Sequence, residues 1–192
     1  MNKMLPFRFI PVEPRTVDDL HDGHVISTFD CCGMFLCTGG EVEILFGEQS
    51  YRLRRGDMYI YVPSTIVRLL HRSEDAQGIM VEIELSFVLP LATGTLSVEN
   101  LLNLRHAPCI TLGEAEFRHL LTLTESLKQR IEQADLESLP MQRRILMQDI
   151  LRSMAQTIFY EVVNLYYVNR PLAPLPQGKK EQIFHSTEME MN

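Results

Sequence analysis

Residues Gly39 to Leu70 read GGEVEILFGEQSYRLRRGDMYIYVPSTIVRLL, and the spacing of their glycines decides the fold class. Tyr51 and Leu53 alternate with Arg52 and Arg54, a period of two that gives a strand one inward and one outward face. Before them, Phe46-Gly47-Glu48 is a tight turn in which Gly47 can take the positive φ that such a turn demands. Gly56-Asp57 then opens a further strand, Met58 to Val62, which Pro63 stops. The same punctuation extends outward to Asp22-Gly23, Gly39-Gly40 and Gln77-Gly78. Turns at intervals of about 8 to 20 residues are the rhythm of a sandwich or barrel. Ile79, Val81, Ile83 and Leu85 alternate with Met80, Glu82, Glu84 and Ser86, so Glu82 and Glu84 read as a solvated strand face.

From Thr111 the period becomes 3.6. Thr111 and Glu114 have the spacing of a capping box, and Phe117, Leu120, Leu121, Thr124, Leu127 and Ile131 form one apolar stripe ending near Ala134. A second helix is expected from Ser138, with Pro140 tolerated in its first turn, to about Asn169. It carries two adjacent apolar rows: Leu146, Ile150, Met154, Ile158, Val162 and Leu165, and beside them Met147, Leu151, Ala155, Phe159, Val163 and Tyr166. A stripe that wide implies burial on two sides. Both rows could pack within one chain; the preferred reading is a homodimer through Leu146, Ile150, Met154, Ile158 and Val162, since two-fold pairing is the commonest way to cover a second row. The proline-rich PLAPLPQG from Pro171 to Gly178 reads as a semi-rigid connector.

The expected class is therefore α+β: a β-barrel of jelly-roll type over residues 1–92, a connector over 93–110, a helical hairpin over 111–170 and a linker and tail over 171–192. The chain has 192 residues and a formal charge of −7, with a pI near 5.4. That charge argues against neutralising a phosphate backbone. MNKMLPFRFIPVEP has no apolar core of a secretory signal, and no stretch approaches the ~18 apolar residues of a membrane span, so a cytoplasmic protein is expected. Cys31, Cys32, Cys37 and Cys109 lack the paired spacing of a zinc site and read as small buried hydrophobes.

GGEVEILFGEQSYRLRRGDMYIYVP resembles the cupin signature of sensor domains in AraC-type transcription regulators. NLRHAPCITLGEAEF and RPLAPLPQGKKEQIFHS are similar to the segments that lie between barrel and DNA-binding helices there, so the likeness runs from about Arg8 to His185. The resemblance implies a cupin barrel that binds a small effector, helices that dimerise, and DNA contact through a C-terminal pair of helix-turn-helix units. Metal-holding cupins use two inward His, a Glu and a third His beyond the Pro. Here VISTFDCCGMFLCTGG, Val25 to Gly40, contains no His, and Arg68 stands where the third ligand would. No metal, cofactor or catalytic residue is expected. After His185 there is no room for a helix-turn-helix, so DNA binding is expected only through a missing C-terminal domain.

The candidate ligand-binding residues are Arg8, Thr28, Asp30, Tyr59, Tyr61 and Arg68. Arg68 could point inward and clamp a carboxylate or phosphate, or be an exposed loop residue. Thr28 and Asp30 share a strand face and could bind sugar-like hydroxyls, or solvate a turn. Tyr59 and Tyr61 share a face and could stack on a ligand or serve structure. Arg8 belongs to a segment that, by the resemblance, can fold over the barrel mouth; it could equally lie in an edge strand. The expected function is a non-enzymatic sensor of a small, carbohydrate-like metabolite that joins two copies of the chain. The alternatives are a stand-alone cupin epimerase or dioxygenase, and a ligand-free dimerisation module.

Overall fold

A computed structural model describes residues 7–12, 25–28, 31–92, 103–169, 171 and 173–175. Eight strands come first: β1 Phe7–Val12, β2 Val25–Thr28, β3 Cys31–Gly39, β4 Glu41–Phe46, β5 Gln49–Arg54, β6 Asp57–Tyr61, β7 Thr65–Arg72 and β8 Gln77–Glu84. A ninth, β9 Cys109–Thr111, lies in the expected connector. They form two antiparallel sheets, ordered β1-β8-β3-β6-β9 and β2-β7-β4-β5. The pairing is nested: β4 with β5, β3 with β6, β2 with β7 and β1 with β8. A long hairpin folded over on itself produces that order, which is the jelly roll. Its centre is the Gly47 turn, at φ 59°. Among the described residues no ladder joins the two sheets, so the expected barrel is a two-sheet sandwich with open edges.

The Gly-Asp corner ties the sandwich to the connector. Gly56 holds φ 93°, its N–H donates to the Cys37 carbonyl at 3.0 Å, and its own carbonyl accepts from Leu112 N–H at 2.9 Å. Asp57 is buried; its carboxylate accepts Arg54 N–H at 2.8 Å and the Thr111 hydroxyl at 2.7 Å. That second bond corrects the expected helix start. Thr111 is a β9 residue committed to Asp57, and the helix begins after Gly113, whose N–H donates to the Glu116 carboxylate at 2.9 Å.

Among the described residues three longer helices occur, α1 Leu85–Ala92 ahead of β9, and α2 Glu114–Gln133 and α3 Met141–Val168 after it, with a short helical turn at 103–106 between α1 and β9. Leu85 and Ser86, expected in a strand, open α1 instead. Among the described residues the last paired positions of β8 are Ile83 and Glu84, and the apolar run that follows turns Val88 into the helix-side core as a helix. Ser138 does not cap α3. Its hydroxyl donates to the Asp135 carbonyl at 2.9 Å within the interhelical turn, and α3 starts three residues later. Beyond α3, Pro171 bridges Ile110 and Leu175 N–H reaches the Ser50 carbonyl at 2.7 Å, returning the chain to the sandwich.

There are two cores. One fills the sandwich: Phe35, Val42, Tyr51, Leu53, Tyr59 and Leu69 belong to it. The other lies between the opposite face of the larger sheet and the helices, uniting Met34, Ile60 and Val81 with Leu120, Leu151 and Ile158. The larger sheet is thus covered on both faces, which is why every residue of β6 is buried. By contrast β5 has water on one side and alternates cleanly, Tyr51 and Leu53 in, Arg52 and Arg54 out.

Candidate functional site

Inside the sandwich, one row of the larger sheet breaks the apolar pattern. Gly33 of β3 is paired on one side with Tyr61 of β6 and on the other with Glu82 of β8. Val81 and Ile83 pack in the helix-side core and Met80 packs against the sandwich core, so alternation turns Glu82 into the sandwich. It is 4% exposed. Next in the row comes β1, where Arg8 stands at the register position opposite Glu82. A side chain at Gly33 would collide with the Tyr61 hydroxyl and the Val81 carbonyl, so the phenol of Tyr61 lies across the bare backbone of β3.

Tyr59 lies one inward position along β6, its ring stacked on Tyr61 at 6.0 Å between centroids and 18° between planes. Phe46 of the facing sheet approaches Tyr59 at 6.3 Å. Burial, with nearby Cys109 adding to it, pushes the Tyr59 phenol well above its ordinary value, so it remains a neutral donor. Thr65 lies beside that hydroxyl but gives its own proton to the Val62 carbonyl at 2.8 Å. Among the described residues Tyr59 Oη has no partner in hydrogen-bonding geometry. Buried hydroxyls are normally satisfied; this one faces the interior with its proton available.

The structure therefore gathers Tyr59 and Tyr61 with a residue that sequence reasoning dismissed, Glu82. Thr28 stands opposite Thr65 in the β2–β7 ladder, and Arg8 opposite Glu82, so both occupy registers of interior residues. Asp30 lies outside the described residues. Arg68 is a correction. It is exposed while its neighbours Val67 and Leu69 are buried in the sandwich, so the strand's alternation turns it to the outer face of β7. Glu82 reverses the solvated-face expectation, whereas Glu84, at the strand end, is exposed. The signal for Glu82 was Gly33 in the paired strand, legible only once the register was known.

On α3, Leu151, Ala155 and Phe159 of one row are buried within the chain. The other row divides: Leu146 is 61% exposed, Ile150 and Met154 are half-buried, Ile158 is 2% exposed and Val162 half-buried. Only the N-terminal half of that row faces outward, continued by exposed Met141 and Ile145.

The cysteines divide between Cys31 and Cys32, half-buried, and Cys37 and Cys109, buried. Burial pushes the thiols of Cys32 and Cys37 up to about 11 and that of Cys109 higher still, with adjacent Cys31 adding to Cys32. They are therefore protonated at neutral pH. Among the described residues no three His, Cys, Asp or Glu side chains converge to hold a metal ion.

No protein-family model and no curated protein matches the chain. Solved structures do. Apo ToxT from Vibrio cholerae aligns over 84% of this chain and 57% of its own, with a TM-score of 0.49 and 15% identity. The AraC-like transcriptional activator CuxR aligns over 97% and 61%, with 0.47 and 11%. A cupin-2 domain protein from Shewanella frigidimarina aligns over 44% and 72%, with 0.32 and 20%. The chain thus spans about three fifths of the two regulators' length. These are likenesses of fold, and the nested strand order stands independently of them. No helix among the described residues is long and apolar enough to cross a membrane.

Proposed function

We propose that this chain is the effector-sensing and dimerisation part of an AraC-type transcription regulator, with a small polar metabolite bound inside the sandwich and no catalytic role. The observation that carries the reading is the buried row Tyr61–Gly33–Glu82 with Tyr59 beside it. A sandwich built only for support needs no carboxylate in its interior, and this one places Glu82 there in the same row as Tyr61. Here a carboxylate, which accepts, and phenols, which donate and accept, line one end of an aromatic interior. Their set suits the hydroxyls of a carbohydrate-like molecule, with the aromatic rings offering a stacking face. Arg8 and Thr28, from their register positions, are proposed to complete it.

The signal is linkage. An effector shifts the balance between two arrangements of helices or dimer only by its differential affinity for them, typically about 1–3 kcal/mol. The exposed row Met141, Ile145 and Leu146, with Ile150 and Met154, is the face proposed to join two copies in a cytoplasmic homodimer. DNA contact is proposed for a helix-turn-helix domain of the complete regulator. A thermal-shift screen of monosaccharides and sugar acids tests the sensor. The expected outcome is a concentration-dependent rise in Tm for at least one compound, lost in Glu82→Gln and kept in Arg68→Ala. A rise that survives Glu82→Gln, Tyr59→Phe and Tyr61→Phe unchanged would place binding elsewhere. Light scattering tests the dimer, with Leu146→Glu expected to give a single-copy species.

A further inference from the structure

Among the described residues, the helix-facing side of the larger sheet is not completely covered. A cavity of about 610 Å³ lies between that sheet, α1, α3 and the helical turn at 103–106. Its floor is Met34, Ile60, Val81 and Ile83, its walls include Val88 and Phe159, and Arg105 stands at its rim. Arg105 is exposed, so its guanidinium retains water while the interior is apolar.

The volume falls within the range of small-molecule sites, about 300–1,000 Å³. A helix of about 10 Å diameter and 5.4 Å pitch occupies roughly 400 Å³ per turn, so the space holds fewer than two turns and is no groove for a partner helix. Water does not favour it either, because a bound water needs two to four polar partners and, apart from Tyr61, Ser64 and Arg105, the lining side chains are apolar or nearly so. An apolar space of this size in a core loses packing contacts for as long as it stays empty.

We propose that this cavity is a second binding site, for a small and largely apolar molecule with at most one polar or anionic end. Its body lies on Met34, Ile60, Val81 and Ile83, and its end is held by Arg105. This goes beyond the sandwich site, whose row of polar groups suits a different class of ligand. It also has a consequence for signalling. The floor belongs to the sandwich and the walls to α1 and α3, so occupancy is felt directly by the helix that carries the proposed dimer face.

The test uses the neutral apolar dye 1-N-phenylnaphthylamine on the full chain, read by fluorescence enhancement. The wild-type protein is expected to bind it saturably. Val162→Trp and Ala92→Trp, which fill the cavity without removing a polar group, are each expected to weaken binding at least about tenfold. Glu82→Gln, in the sandwich, is expected to leave dye binding unchanged while abolishing any response to a polar effector, so the two readings fail separately. Absence of saturable binding by wild type overturns the proposal, as does dye affinity lost in Glu82→Gln but kept in folded filling variants. Should neither filling variant fold, Cys32, which also lines the cavity, decides the matter in a Cys31→Ser background. Dye must slow its alkylation by N-ethylmaleimide, and an unchanged alkylation rate overturns the proposal.

Discussion

Asp57→Ala tests whether the Gly-Asp corner holds sandwich and connector together. Its carboxylate accepts two hydrogen bonds, from Arg54 N–H at 2.8 Å and from Thr111 Oγ1 at 2.7 Å. Bonds to a charged acceptor contribute about 1.5–3 kcal/mol each. Both bonds are only partly buried, so the lower figure applies to each. The expected loss is about 3 kcal/mol, or about 6–12 °C in Tm for a chain of this size. Urea unfolding followed by far-UV circular dichroism measures it, with an unchanged m-value as the sign that only stability has moved. A double-mutant cycle with Thr111→Val isolates one bond. Thr111→Val should cost about 1.5 kcal/mol in the wild-type background and almost nothing beside Asp57→Ala, a coupling of about 1–1.5 kcal/mol. A loss below about 1 kcal/mol, or strict additivity, would refute the assignment of Asp57 as the shared acceptor.

Three further outcomes are expected. Ser64 holds φ 63° without being glycine; the left-handed region costs an L-residue about 1–2 kcal/mol and glycine returns part of that as chain entropy, so Ser64→Gly should raise stability by about 0.5–1 kcal/mol. A lower urea midpoint would contradict this. Glu114 is held at about 2 by hydrogen bonds from Arg55 and then Arg118, against an ordinary 4.5. A carboxylate with a lowered folded pKa stabilises above its unfolded value, and that contribution disappears as pH falls from 4.5 towards 2. The Tm gap between wild type and Glu114→Gln should therefore be constant from neutral pH to about pH 5 and close towards pH 2; a gap independent of pH would sink the ion-pair account. Arg68→Ala, on the outer face of β7, should change stability by less than about 0.5 kcal/mol, checked by urea midpoint.

What the sequence determined by itself was whatever depends on neighbours a few residues apart. The Gly47 hairpin, the Gly56-Asp57 corner, the alternation of Tyr51 to Arg54 and the existence of two long helices are set by φ preferences and by periods of 2 and 3.6, and all are present. Where local signals competed, the long-range partner won: Thr111 had the spacing of a cap, yet Asp57, 54 residues away, took its hydroxyl.

The candidate site shows the same division. Tyr59 and Tyr61 could be chosen because aromatic residues on one strand face must meet something. Glu82 could not, because a polar residue in an alternating strand faces water only if that face is wet. Whether it is wet depends on where the rest of the chain packs. Helices α1 and α3 cover the side of β8 that carries Val81 and Ile83, which leaves Glu82 no direction but the sandwich interior. Arg68 was misplaced for the converse reason, since β7 belongs to the sheet that keeps one face in solvent. Only the tertiary structure decides this, because the side of a sheet that becomes interior is settled by elements distant in sequence, and alternation records that there are two sides without saying which is covered.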